Sequence, residues 1–104
     1  MTPQEDFERV AAQLADLGVV TSKVFGKPAY KDANGKAFAC LFRDGLACRL
    51  ISGTEEHIEA LALPGAALFD PSDRHRPMKD WVVVPHTDTA RWITYAEAAY
   101  RRPR

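Results

Sequence analysis

Apolar positions along the chain change their period several times, and each change marks an element. From Phe7 the residues Val10, Ala11, Leu14 and Leu17 recur at helical spacing and make one stripe. Ahead of them, Thr2-Pro3-Gln4-Glu5 fits a capping box, with Thr2 as N-cap, Pro3 at the first helical position and Glu5 reaching back. Gly18, able to turn left-handed, stops the helix. Val19 to Phe25 then reads as extended, and Gly26-Lys27-Pro28 as a break. Ala29 to Lys31 and Lys36 to Arg43 flank Asp32-Ala33-Asn34-Gly35, a strong turn signal. A second turn, Asp44-Gly45, leads into Leu46 to Ile51, so the middle of the chain is an antiparallel meander.

The second half repeats the alternation. Ser52-Gly53-Thr54-Glu55 reads as another capping box opening a short helix to about Leu63, with Ile58, Leu61 and Ala62 on its buried side. Pro64-Gly65 ends it, and Ala66 to Phe69 is a short strand ahead of the polar loop 70–77. Trp81-Val82-Val83-Val84 is bulky and β-branched without alternation, which predicts a strand covered on both faces. After Pro85, a last helix from near Asp88 carries Trp92, Tyr95, Ala96 and Ala99 at helical spacing. Its cationic end (Arg101, Arg102, Arg104) suits the negative end of the helix dipole. With no repeat, linker or low-complexity stretch, residues 1–104 read as one α+β domain.

Two registers compete across Asp44-Gly45. A two-residue connection sets Cys40 opposite Arg49 and Phe42 opposite Ala47. A three-residue one, with Gly45 left-handed, opposes Phe42 with Leu46, Cys40 with Cys48 and Phe38 with Leu50. The second matches apolar with apolar on one face and is the expectation. It makes the two cysteines cross-strand neighbours, read as reduced core thiols.

The 104 residues suit one domain and can bury a core without staples, and 46% hydrophobic content is that of a globular chain. Two cysteines are too few for a disulfide scaffold or a metal knuckle, and no apolar run approaches the ~20 residues of a membrane span. The acidic, polar N-terminus is unlike a secretory signal, so the expected setting is cytoplasmic, with no membrane partner and no cofactor. Net charge is zero, but locally the chain alternates in sign. Residues 23–49 carry Lys23, Lys27, Lys31, Lys36, Arg43 and Arg49 against Asp32 and Asp44, and residues 74–104 carry seven bases against three acids. The segments 1–22 and 50–73 are acidic. The two basic segments can meet in space, or simply pair with acids over a solvated surface.

No catalytic or metal centre is legible. His57, His75 and His86 read as exposed, none at i, i+4 spacing from another, and neither a nucleophile elbow nor a P-loop is present. Asp70 and Asp73 read as solvated loop carboxylates. The most unusual stretch is Arg74-His75-Arg76-Pro77-Met78-Lys79-Asp80-Trp81, which suits either an anion contact or a core plug of Met78 and Trp81 with wet cations.

Phe25-Gly26-Lys27-Pro28-Ala29, Gly35-Lys36-Ala37-Phe38-Ala39, Phe69-Asp70-Pro71 and Arg76-Pro77-Met78-Lys79-Asp80-Trp81-Val82, in that order and spacing, resemble the TfoX N-terminal domain and the related MmcQ/YjbR proteins. The similarity runs from about Leu14 to Tyr100. Asp73-Arg74-His75 departs from it, since the position before the R-P-M motif is usually small in that family. The resemblance implies a small α+β fold with a curved antiparallel sheet and flanking helices, sometimes compared with a double-wing DNA-binding module. Some relatives regulate competence for DNA uptake and carry a second helical domain, for which this chain leaves no room. It supplies no catalytic residues.

Three functions follow as expectations. The first is a non-enzymatic binding module, linked to transcription by the resemblance, whose anion- and nucleic-acid-binding residues are Lys23, Lys27, Arg74, Arg76 and Lys79. Loop cations reach phosphates before base edges, so DNA binding is expected to be weak, insensitive to sequence and steep in salt. The second is a protein-interaction adaptor using an apolar patch or sheet edge. The third is a small-molecule-binding domain with a pocket between sheet and last helix, near Trp81 and Trp92. The expected state is a monomer or weak dimer.

Overall fold

The computed structural model describes residues 2–72 and 74–102, so Asp73 and the Arg104 of the cationic end lie outside the described residues. The order is α1 (Pro3–Leu14), a 3-10 turn (Ala15–Leu17), β1 (Val20–Val24), β2 (Lys27–Lys31), β3 (Ala37–Phe42), β4 (Gly45–Arg49) and α2 (Glu55–Leu61). Then come β5 (Ala67–Phe69), β6 (Met78–Val84), a 3-10 segment (His86–Arg91) and α3 (Trp92–Arg101). The strands form one antiparallel sheet in the order β1-β2-β3-β4-β6-β5, giving a small α+β domain. Among the described residues no helix is long and apolar enough to cross a membrane.

The local signals act as chemistry requires. Thr2 Oγ1 accepts from the Glu5 amide and the Glu5 carboxylate accepts from the Thr2 amide, closing the capping box. In the Asp32–Gly35 turn, the Asp32 carboxylate accepts from the amides of Asn34 and Lys36. Several boundaries differ from expectation. Lys27 and Pro28 belong to β2, because Phe25 and Gly26 form a two-residue turn with φ of 54° and 73°. Pro28 is tolerated there since the ladder to β3 begins only at Ala29. The cap of α2 is Thr54 rather than Ser52, its hydroxyl oxygen accepting from the His57 amide. That shift rotates the helix. His57 and Ala60 face inward, while Ile58 is 62% exposed and Leu61 and Ala62 also face out.

One face of the sheet carries Tyr30, Ala39, Leu46, Cys48, Val82 and Val84 and packs against the helices. Phe38 joins them because it is the extra residue of a β-bulge: Tyr30 pairs with Ala39 and Lys31 with Ala37. Phe7 stacks on Tyr30 with ring centroids 4.4 Å apart, and the Tyr30 hydroxyl donates to the Phe7 carbonyl at 2.7 Å. Trp92 is fully buried between α3 and the sheet, with Nε1 donating to the Val84 carbonyl at 3.2 Å.

The opposite face is apolar too. Ala29, Cys40, Ala47, Phe69 and Trp81 are buried there, with Val24, Phe42, Met78 and Val83 around them, and none of these residues is helical. The sheet hides this face by curling. Phe69 of β5 meets Phe42 of β3 edge-on at 5.0 Å and Phe25, from the β1–β2 turn, at 6.0 Å. β6 is therefore covered on both faces, as its composition predicts.

Neither expected register occurs. Phe42 pairs with Gly45, Cys40 with Ala47 and Ala39 with Cys48, so the turn is Arg43-Asp44 and the cysteines lie on opposite faces. Gly45 is a strand residue. A Cβ there would meet Val83 Cγ1 at 2.6 Å and the Val84 carbonyl oxygen at 2.9 Å, so only glycine lets β4 close on β6. Arg43 carries the positive φ instead, at 53°. Gly45→Ala is expected to cost about 1–3 kcal/mol through overpacking, lowering the melting temperature by several degrees. Gly26→Asn, at an open left-handed position, should stay near wild type in the same thermal melt.

Candidate functional site

The sheet separates the five cations singled out by sequence. Lys23 pairs across β1–β2 with Pro28, and both line a groove beside Gln4 and Glu8 of α1, on the helix-covered face. Lys27, one position from Pro28, projects to the other face and places Nζ 5.2 Å from the centre of the Phe42 ring. Arg74 and Arg76 are exposed in the loop between β5 and β6, and Lys79 is exposed on β6. The Lys79 carbonyl oxygen lies 2.7 Å from His57 Nε2, fastening β6 to α2.

One cation that sequence reasoning passed over completes a group with Lys27. Arg43, at the tip of the β3–β4 hairpin, sets its guanidinium carbon 5.0 Å from the same Phe42 ring. Phe42 thus carries two cations from two hairpins, and its edge meets Phe69. Phe69 in turn contacts Trp81 and Phe25, and Phe25 is 51% exposed. Phe25 is a bulky residue held left-handed, a conformation that carries strain where asparagine or glycine would be relaxed. The result is an aromatic surface at the hairpin tips, flanked by Lys27 and Arg43 and joined through Phe69 to the start of the cationic loop. A reading of Phe25-Gly26 as a two-residue hairpin turn would have exposed this from sequence, because it places Lys27 at the tip instead of in a break.

Two histidines depart from the expected exposure. His57 is buried. His86, at the end of β6, donates from Nε2 to the Asp6 carboxylate at 2.5 Å, and Arg9 meets the other carboxylate oxygen at 2.8 Å. Asp6 lies in the first turn of α1 and is 2% exposed. The His86 hydrogen bond, ahead of the Arg9 charge, holds its carboxyl below the ordinary range. No local pattern could have disclosed a pair 80 residues apart.

The pocket expected between Trp81 and Trp92 is not formed by them. Trp92 fills the helix side, while Trp81 lies on the opposite face of the sheet. The thiols are both buried and unpaired with each other. Burial pushes Cys40 up to about 12 and raises Cys48 further. Among the described residues no group of three or more His, Cys, Asp or Glu is placed to hold a metal ion. Comparison with known proteins returns no matching family model, curated protein or solved structure.

Two tests follow from these environments. An aromatic disulfide reagent should leave both thiols unmodified over minutes in the native protein and titrate two after denaturation; rapid native reaction would contradict the burial of Cys40 and Cys48. Asp6 has a depressed folded-state value, so its stabilisation is complete above the ordinary carboxylate value of about 3.9 and is lost as pH falls through the lower folded one. Asp6→Asn should therefore reduce the melting temperature at neutral pH and shrink its fall between about pH 5 and pH 2.5. An unchanged acid limb would show that the pair contributes nothing.

Proposed function

We propose that this domain is a non-enzymatic binding module that docks on nucleic-acid phosphates through its hairpin tips and the β5–β6 loop. The observation that carries the reading is the convergence of Lys27 and Arg43, from separate hairpins, on the Phe42 ring beside the exposed Phe25. Cations held beside an aromatic surface suit a phosphate backbone with an adjacent base or sugar. Phe69 ties that surface to the β5 end of the loop bearing Arg74 and Arg76, while Asp44 and Asp70 beside Arg43 weaken the attraction for phosphate there. The resemblance to the TfoX N-terminal domain points the same way. Zero net charge limits the attraction to this surface, so affinity is low and set by salt.

Lys27, Arg43, Arg74, Arg76 and Lys79 supply about five phosphate contacts, for a slope of log affinity against log salt of about −4.5 by the rule of roughly −0.9 per contact. Fluorescence anisotropy with a short DNA duplex over a salt series measures it. Lys27→Ala with Arg43→Ala should flatten the slope by about 2, and Arg74, Arg76 and Lys79 changed together by about 3. Lys23→Ala, on the other side of the sheet, should leave it within error. Absence of binding at low salt ends this reading, and a slope insensitive to the hairpin pair removes the hairpins from the site.

A second reading, a protein-interaction adaptor, is favoured by the outward face of α2, where Ile58 and Leu61 are 62% and 37% exposed. It becomes the leading one if DNA binding is absent while Ile58→Glu leaves the melting temperature unchanged.

A further inference from the structure

Beside the hairpin tip lies a cleft of about 440 Å³, bounded by the Arg43-Asp44 turn, by β5 and its exit, and by the end of β6. Its lining is apolar at Ala67 and Val83, cross-strand neighbours on one face of the sheet, and Arg43 faces the carboxylates of Asp44 and Asp70 around it, with His86 beside them. We propose that this cleft binds a small dipolar ion with an aliphatic side chain, an α-amino acid being the class that fits.

Charge decides the class. A simple anion that reaches Arg43 meets the carboxylates of Asp44 and Asp70, and a simple cation that reaches those carboxylates meets Arg43 with Lys27 close by on the same ring. A molecule with carboxylate and ammonium on one carbon satisfies both sides, and its side chain lies against Ala67 and Val83. His86 stands beside the ammonium end as a hydrogen-bond acceptor. Asp6 holds its Nε2, which sets the ring's position and leaves Nδ1 without a partner among the described residues. The buried carboxylate thus positions His86 much as an outer hydrogen bond positions a ligating group.

Backbone strain lies on the same wall. Arg43 takes a φ of 53° at a turn position that asparagine or glycine fills without cost, so the fold holds the arginine there against its own conformational preference. Gly45, beside it, admits no side chain, and the floor at Val83 stays flat.

The test is a two-dimensional NMR titration of the full chain with L-leucine, alongside 4-methylpentanoate, which lacks the ammonium, and isopentylamine, which lacks the carboxylate. Leucine should shift the amides of residues 43–45, 65–70, 83, 84 and 86 saturably, with a dissociation constant on the order of millimolar. Each single-charge analogue should bind about tenfold more weakly, the worth of one charge-assisted contact. Arg43→Asn relieves the backbone strain and should weaken leucine binding by about tenfold with the fold intact. Asp70→Asn should do the same from the opposite wall. The proposal is overturned if leucine shifts none of those amides at tens of millimolar, or if either analogue binds as well as leucine. It is equally overturned if folded Arg43→Asn binds leucine unchanged.

Discussion

A sheet with two apolar faces must hide both from water, and this chain has helices for only one. That constraint orders the rest of the molecule. The face carrying Tyr30, Leu46, Val82 and Val84 is closed by α1 and α3, with Trp92 as the largest fully buried side chain. The other is closed by the sheet's own curl, which carries Phe69 of the far edge strand back over Phe42 and Phe25. Removing apolar surface from water is non-directional, so an aromatic cluster assembled by curling serves as well as a helix layer. It does require close strand approach, and Gly45 is where β4 and β6 come too near for any side chain.

The same curl produces the candidate site. Without it, Lys27 and Arg43 would sit at the tips of separate hairpins and the loop bearing Arg74 and Arg76 would hang from the opposite edge of the sheet. With it, two cations share one ring and the loop is drawn to them through Phe69. Phe25 and Arg43 at the hairpin tips both occupy the left-handed region, as do Ile51 after β4 and His75 in the β5–β6 loop.

On the helix side, Asp6, His86 and Arg9 form a polar joint between the first turn of α1 and the exit of β6. A buried carboxylate is tolerated only when paired, and its two oxygens meet one partner each. The joint fixes the first helix to the last strand near the wall of the cleft, so the position of His86 depends on residues at the other end of the chain.

Elements whose information is local were legible in the sequence. The capping box at Thr2 and Glu5, the stop at Gly18, the Asp32–Gly35 turn, the doubly covered strand at Trp81–Val84 and the buried stripe of α3 follow from backbone hydrogen bonding and side-chain periodicity within a few residues. The α+β class followed from their order. Quantities that depend on one segment meeting another were decided by the tertiary structure. The β3–β4 register differs by one residue from the expected one, matching Leu41 with Leu46 and Cys40 with Ala47 and placing Gly45 where β4 passes too close to Val83 for a side chain. The bulge at Phe38 moved a side chain between faces, α2 turned Ile58 outward to bury His57, and Lys23 parted from Lys27 across the sheet. A sequence carries the period of a strand, but which face is which, and which distant charge stands beside it, is settled only when the whole chain closes on itself and every buried group must find room and a partner.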